Sequence, residues 1–402
     1  MEDNAQQNRK IERKNTLNEI TSFYEKCDEK KKGILYMSEI PEIKKQLQNP
    51  IYSPKQNLLV LIIGGHSSGK SSFCNWYYGE SIQTVSIGIE TNEITFITTG
   101  QKRETLDGPS TIKLYPFLNE LNSFPNFVNI LKTEVCQVHD PRSEFVTFID
   151  TPGLVPDVLR LPCGPDFEKF LLLIAKHVDL ILCFMEPHNQ AFSRTFLSVV
   201  SKINEKDSSK IQFCMTRCDE ISQSDRERIR SSITQELVNQ KILNRTIEIM
   251  PILLPNYEKE KLENKIYELC DLIQSKVELM IQDTLSNSER DMDIISKAAE
   301  KAHFTLNQRK KRFNFLSFLL LCHFLLLVSI LAMPSTNSLP YYFNTIIICF
   351  LVTFIAWLFS FFSFRSRRTL KEINVFLQNT KTEYKNMEFY GKYKEILKSK
   401  PN

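Results

Sequence analysis

The chain has 402 residues and a formal net charge of +4. That length exceeds one ordinary domain and provides for a large buried core, and the near-balanced charge excludes a strongly basic binder, so no nucleic-acid partner is expected. The ten cysteines include no CxxC pair and no Cys/His metal spacing, which excludes a disulfide scaffold or zinc module and predicts reduced thiols in a cytosolic body.

The first residues, Met1–Asn15, are polar and charged without an apolar run, so no secretory signal is expected. Over 1–55, helical spacing occurs in two pieces, Ile20/Tyr24/Cys27 and Ile40/Ile43/Leu47, separated by Lys30-Lys31-Lys32-Gly33. Two readings stay open for this segment: helices that pack back on a distant stalk, or a solvated extension. Pro50 and Pro54 mark the entry to the first strand.

Residues 56–255 alternate short apolar runs with amphipathic stretches, the pattern of an α/β fold with a mostly parallel sheet. Strands are expected at Leu58–Ile63, Thr95–Thr99, Glu144–Ile149, Leu180–Met185, Ile211–Thr216 and Ile247–Leu254, and helices at Phe167–His177 and Phe192–Ile203. The first strand breaks at Gly64-Gly65 and runs into Gly64-x-x-x-x-Gly69-Lys70-Ser71, followed by a helix-like stretch, Phe73–Tyr78. This is a phosphate-binding loop in its strand–loop–helix context. Glycines admit phosphate oxygens to the backbone N–H groups, and the following helix turns its positive dipole end toward them. Lys70 reaches the β/γ-phosphates as a point charge, and Ser71 offers a hydroxyl to Mg²⁺. His66, Ser67, Ser68 and Ser72 complete the predicted nucleotide contacts of the loop.

A second element follows the strand ending at Ile149, in Asp150-Thr151-Pro152-Gly153. The Asp is placed to hold the Mg²⁺ shell, and Gly153 can turn its N–H toward a γ-phosphate. The third element, Thr216-Arg217-Cys218-Asp219, stands where G-type nucleotidases carry Asn/Thr-Lys-x-Asp. Its Asp219 would accept two hydrogen bonds from the N1–H and exocyclic amine of guanine, a donor pair that adenine lacks. Arg217 replaces the usual Lys. Between the first two elements, Ser86–Phe96 holds the threonine expected to close on Mg²⁺ and γ-phosphate; Thr91 is assigned, with Thr95 second.

These motifs and their order resemble a dynamin-superfamily GTPase domain, over roughly residues 20–255. Finer detail is similar to the EH-domain ATPase and sarcalumenin branch: Ile87-Gly88 precedes the switch threonines, and Val178–His188 resembles a strand ending in an acidic-x-His step. The insert Lys113–Val138 and a helix before the DTPG element are similar in placement. Arg217 resembles the mitofusins' residue. The resemblance implies that Ser67 contributes to catalysis with Lys70 and Thr91, since dynamins place Gln-Ser at His66-Ser67 to position water and a charge-compensating cation; His66 departs from that pattern. It implies Mg²⁺ held by Ser71, Thr91 and Asp150, GTP as substrate, and ATP as the alternative, which the EH-domain branch uses.

Residues 256–312 return to helical spacing, with a stripe at Leu262, Ile266, Leu269, Ile273, Val277 and Met280 and a weaker one over Asp291–Leu306, predicting a helical stalk. Two apolar stretches follow, Phe313–Met333 and Tyr341–Phe364, joined by Pro334–Pro340 and flanked by Arg309-Lys310-Lys311-Arg312 and Arg365-Arg367-Arg368. Each reaches the ~20 residues that span a bilayer, and the flanking charge puts both ends in the cytosol. This predicts a two-span hairpin, similar to that of atlastins and mitofusins, in an endomembrane such as the ER. The basic tail, 365–402, carries Leu370, Ile373, Phe376 and Leu377 on one helical face, suited to lying on a bilayer or to a short solvated helix. The expected whole is a membrane-anchored GTPase whose head dimerises with nucleotide and remodels, tethers or fuses membranes; a nucleotide-dependent switch or scaffold is the rival.

Overall fold

The computed structural model describes residues 14–25 apart from 16, 19 and 23, then 33–49, 51–83, 93–154 apart from 124, 166–187, 194–239, 248–255, 262–331, 347–358 and 367–386. The chain forms two compact units, Lys55–Gln282 and a second made by Met1–Pro54 with Asp283–Asn402.

The first unit is built on a sheet of eight strands among the described residues: β1 (Leu58–Gly64), β2 (Ile94–Gly100), β3 (Glu104–Leu106), β4 (Leu131–Gln137), β5 (Val146–Asp150), β6 (Leu180–Met185), β7 (Ile211–Met215) and β8 (Ile249–Pro251), in the order β3-β4-β2-β5-β1-β6-β7-β8. Pairing is parallel except for β2–β5 and β3–β4. The mostly parallel sheet expected from the alternating apolar runs is therefore present. Strand β1 lies between β5 and β6, and all of its residues are buried, which is why it reads as an unbroken apolar run rather than an alternation.

Alternation along β1 still divides the core. Leu59, Leu61 and Ile63 join Phe167, Phe170 and Ile174 of α3 (Asp166–His177) and Val199, Val200 and Ile203 of α4 (Arg194–Asp207) in one buried cluster. The opposite face carries aromatic contacts from α1 (Lys70–Tyr78): Phe73 meets Phe148 and Phe184, and Tyr77 and Tyr78 meet Phe148. Ring centroids 4.8–5.7 Å apart lie in the favourable range for tilted and edge-on pairs.

Sequence periodicity did not find every element. The stretch before β5 holds a short helix, α2 (Gly108–Leu114), a 3₁₀ segment, Pro116–Ser123, and the turn Pro125–Val128, and then β4 rather than a helix. Its Leu131–Gln137 mixes buried and half-buried residues, because it lies next to the edge strand β3 and has no continuous apolar run. The helix α5 (Gln223–Asn239) was also missed; among its residues only Arg226, Ile233 and Leu237 are buried, too thin a stripe for a periodic signal.

The stalk stripe folds as helix. Ile266, Leu269, Ile273 and Val277 are buried on α6 (Ile266–Leu331), which continues without a break through Asp291–Leu306. In the second unit, Leu17, Ile20, Tyr24, Ile34, Met37, Ile40 and Ile43 are buried. The Tyr24 hydroxyl donates to Asp291 Oδ2 at 3.0 Å, and the Tyr36 hydroxyl to Glu372 Oε2 at 3.1 Å on α7 (Arg367–Asn386). The described parts of the N-terminal segment are thus packed on the later helices rather than solvated. Cys27 lies outside the described residues.

The expected membrane hairpin is overturned. Among the described residues no helix is long and apolar enough to cross a membrane. The stretch Phe313–Met333 is described to Leu331, as the end of α6 that continues directly from the charged Arg309–Arg312 turn. The second stretch is described as helix over 347–358. The hairpin, the two-span topology with both ends in the cytosol and the endomembrane placement are withdrawn together.

Candidate nucleotide site

Residues at the C-terminal edge of the central strands form the site. Strand β1 delivers Gly64 to the loop, and α1 starts at Lys70. The turn between them needs left-handed backbone at Ser67 (φ 55°) and Gly69 (φ 82°); glycine takes this conformation without strain, and Ser67 is held in it. The Ser68 hydroxyl donates to Gly65 O at 2.9 Å, closing the turn. Lys70 is buried, with its Nζ donating to Gly65 O at 2.8 Å and reaching Gly64 O at 3.4 Å. Burial pushes the Lys70 ammonium below its ordinary range, opposed by the attraction of Asp150. An anion entering the loop would offset that desolvation, because a buried charge is stable only when paired.

The register Ile62↔Asp150 between β1 and β5 brings the DTPG element alongside the loop. Asp150 is fully buried, and its Oδ2 accepts the Ser71 hydroxyl at 2.7 Å. Burial raises the Asp150 carboxyl above the usual range, while Lys70, the Ser71 hydroxyl and the Thr151 amide pull it back toward ionisation. The turn after Asp150 is tied to the loop from both sides: the Thr151 hydroxyl donates to Ile62 O at 2.8 Å and Leu154 N to Gly64 O at 2.9 Å. Between them Gly153 approaches so closely that a Cβ there would lie 2.7 Å from His66 Cα and 2.8 Å from His66 N.

The third element arrives on β7. Thr216 lies against Gly69, its Cγ2 being 3.9 Å from where a Gly69 Cβ would stand. Its hydroxyl donates to Met185 O at 3.2 Å. Arg217 takes left-handed backbone (φ 50°) and pairs with Glu186 Oε1 at 3.0 Å. Asp219 sits in the 3₁₀ turn Cys218–Glu220, whose buried Cys218 thiol donates to Met215 O at 3.3 Å.

The structure therefore brings Gly64, His66, Ser67, Ser68, Gly69, Lys70, Ser71, Ser72, Asp150 and Gly153 to one loop pair, with Thr216 against it and Arg217 and Asp219 following on the same turn. Thr91 and His188 lie outside the described residues. Glu186, the acidic residue of the step before His188, is the partner of Arg217, a pairing that the sequence alone does not show.

The residues present fit Mg²⁺. Ser71 and Asp150 are hard oxygen donors held together at 2.7 Å, a donor set suited to Mg²⁺ and its water shell. Among the described residues no cluster of three His, Cys, Asp or Glu side chains could hold a metal.

Comparison with known proteins agrees with this geometry. Residues 60–218 match the dynamin-family model. The chain is similar to EH domain-containing protein 3 of Homo sapiens, 27% identical over 217 residues, covering 50% of this chain and 39% of that protein. It is also similar to EH domain-containing protein 1 of Arabidopsis thaliana, 27% identical over 192 residues, covering 46% of this chain and 34% of that protein. The chain thus spans less than half the length of these curated relatives. Among solved structures, one from an oligomerised bacterial dynamin pair, described as providing a mechanism for long-range sensing and tethering of membranes, covers 96% of this chain and 68% of its own, with 16% identity and a TM-score of 0.46. Over residues 60–218 the match to the dynamin-family model and the loop geometry agree, and together they indicate a nucleotide hydrolase.

Proposed function

We infer that the protein binds and hydrolyses GTP in this site and works on membranes by nucleotide-dependent self-association. The observation that carries the hydrolysis is the buried constellation of Lys70, Ser71 and Asp150 at the head of α1. Lys70 exchanges its carbonyl contacts for β/γ-phosphate oxygens and stabilises charge that develops on the transferred group. Ser71 and Asp150, with Thr91, would hold Mg²⁺, which would supply charge neutralisation to the substrate phosphates. Ser67 and His66 lie on the loop where attacking water is oriented, and Gly153 presents its backbone to the γ-phosphate side. No side chain has to act as base.

Thr216, Arg217 and Asp219 hold the base, with the Arg217–Glu186 pair fixing the turn. Asp219 favours guanine. The similarity to EH domain-containing proteins supports ATP as the second reading for the base. A lipid bilayer is the partner favoured by the exposed apolar residues at the end of α6, Phe315, Phe318, Leu321 and Phe324, an apolar surface larger than scattered single residues provide. A second copy of the chain is the partner implied by resemblance to dynamins. The proposed division of labour is a head at 56–255 and a helical stalk at 256–312.

The test is turnover by the purified chain with GTP and with ATP, with and without liposomes, across protein concentration. GTP turnover per molecule that rises with concentration supports self-association. ATP competing as well as GTP would move the base assignment to the second reading. Nucleotide binding without turnover would leave a switch or scaffold.

A further inference from the structure

The Asp150 carboxylate has two oxygens and only one is satisfied. Ser71 donates to Oδ2; Oδ1 is buried without a hydrogen bond, although the Thr151 amide lies near the carboxylate. A second buried oxygen with no partner stands on the neighbouring strand, Thr95 Oγ1 on β2. Thr95 and Asp150 are register partners in the antiparallel β2–β5 pair. Directly opposed residues point to the same face of the sheet with Cβ atoms about 4.5–5.5 Å apart, within reach of two short side chains. Two orphaned groups thus stand on directly opposed residues: a hydroxyl that can donate and a carboxylate oxygen that can only accept.

The other donors near the carboxylate are committed. Lys70 Nζ sits on the carbonyls of Gly64 and Gly65, and Ser71 is on Oδ2. Lys132, the register partner of Thr95 on its far side, pairs with Glu93 at 2.8 Å and Glu134 at 3.7 Å. Neither orphan has surface exposed to solvent, so water does not satisfy them from outside.

We propose that Thr95 is a positioning residue for the nucleotide site, whose hydroxyl donates to Asp150 Oδ1 and fixes the plane of that carboxylate while Ser71 holds Oδ2. A small rotation of either side chain makes the bond, and the carboxylate can then no longer turn about its Cβ–Cγ axis. Asp150 is thereby preset toward the water shell of Mg²⁺, in the way that partners behind a ligand orient it elsewhere. This assignment rests on the reading of Asp150 as the metal-shell carboxylate.

The experiment compares Thr95→Val, which keeps the shape and removes the hydroxyl, with Thr95→Ser, which keeps the hydroxyl. Binding of a fluorescent GTP analogue is titrated against Mg²⁺ and repeated in EDTA. Thr95→Val is expected to raise the Mg²⁺ concentration for half-maximal binding about tenfold, the lower end of what outer partners contribute to metal affinity. Binding in EDTA should stay unchanged, and Thr95→Ser should behave as the unmodified chain. An unchanged Mg²⁺ requirement in Thr95→Val overturns the proposal. So does an equal loss in Mg²⁺ and EDTA, or a loss in Thr95→Ser as large as in Thr95→Val, because packing alone would then account for it. A failure of the hydrolase reading is recognised separately: the unmodified chain would bind the analogue without regard to Mg²⁺.

Discussion

Gly153→Ala is the sharpest perturbation of the nucleotide site. The added Cβ would stand 2.7 Å from His66 Cα, 2.8 Å from His66 N and 3.2 Å from Gly65 C, where carbon atoms prefer about 3.5–4.0 Å. The obstruction is backbone, so no rotamer relieves it. Gly153 cannot retreat either, because Thr151 is bonded to Ile62 O on one side and Leu154 to Gly64 O on the other. The loop must move by about 1 Å, an overpacking cost of ~1–3 kcal/mol. In a domain of this size each kcal/mol lowers the melting temperature by about 2–4 °C. The moved atoms belong to the phosphate-binding turn, and a misplacement of about 1 Å there costs on the order of 10²-fold in kcat/KM. Gly65→Ala is the internal control for stability, since its Cβ meets nothing within 4 Å. Thermal melting and steady-state GTP turnover of both variants provide the readout. If Gly153→Ala melts with the unmodified chain and hydrolyses GTP within about twofold of it, the close approach of the two loops is not real and the assembly of the site from it fails.

Lys70→Ala removes the buried ammonium that faces the loop carbonyls, and a charged hydrogen bond of ~1.5–3 kcal/mol predicts a loss of labelled-GTP affinity of at least about tenfold; unchanged affinity would deny Lys70 a phosphate role. Asp219→Asn should lower the preference for GTP over ATP in a competition assay by about 10–100-fold, because an unpaired polar edge discriminates strongly, while leaving phosphate contacts in place; an unchanged ratio would place base selection elsewhere. EDTA should stop turnover without shifting the melting temperature of the nucleotide-free chain, since no side-chain cluster among the described residues holds a metal by itself; a large shift would reveal a structural metal.

The strands nearest the site were legible because they are buried on both faces, and their apolar runs end at residues whose chemistry is specific. Leu58–Gly64 and Val146–Asp150 are continuous apolar runs that stop at Gly64-Gly65 and at Asp150-Thr151-Pro152-Gly153. The register that puts Ile62 beside Asp150 is not written in either run; it follows from packing the whole sheet. The Glu186–Arg217 pair was hidden for the same reason, since the two residues are far apart along the chain and meet only after β6 and β7 align. Helix α5 escaped because most of its side chains face solvent or are half-buried, and strand β4 because its buried positions include the polar Thr133 and Glu134, so the period of the apolar residues is diluted. The membrane hairpin failed for the opposite reason: Phe313–Met333 has the composition of a span but continues the charged surface helix α6, and composition alone does not report what precedes it in the same helix.

The phosphate-binding helix is also fastened to the start of α6 within the first unit. At the far end of α1 from Lys70, the Arg142 guanidinium lies 5.0 Å over the Trp76 ring and 6.0 Å over Tyr77, while Asp140 holds it at 2.6 Å. Gln274 Nε2, on α6, donates to the Tyr77 hydroxyl oxygen at 3.1 Å and to Arg142 O at 2.9 Å. Tyr267 meets Trp76 edge-on at 6.4 Å. Cation–π contacts contribute about 0.5–2 kcal/mol each, and neutral hydrogen bonds about 0.5–1.5 kcal/mol, so sliding α1 against Tyr267–Gln274 would break contacts worth several kcal/mol together. A shift of the helix that carries Lys70 must therefore either stay small or take the first turns of α6 with it, because close-packed contacts exchange between discrete arrangements rather than stretch. The site and the start of the long helix are in this sense one mechanical element. Its weak point is the Gln274 amide, which is hydrogen-bonded both to α1 and to the Arg142 backbone.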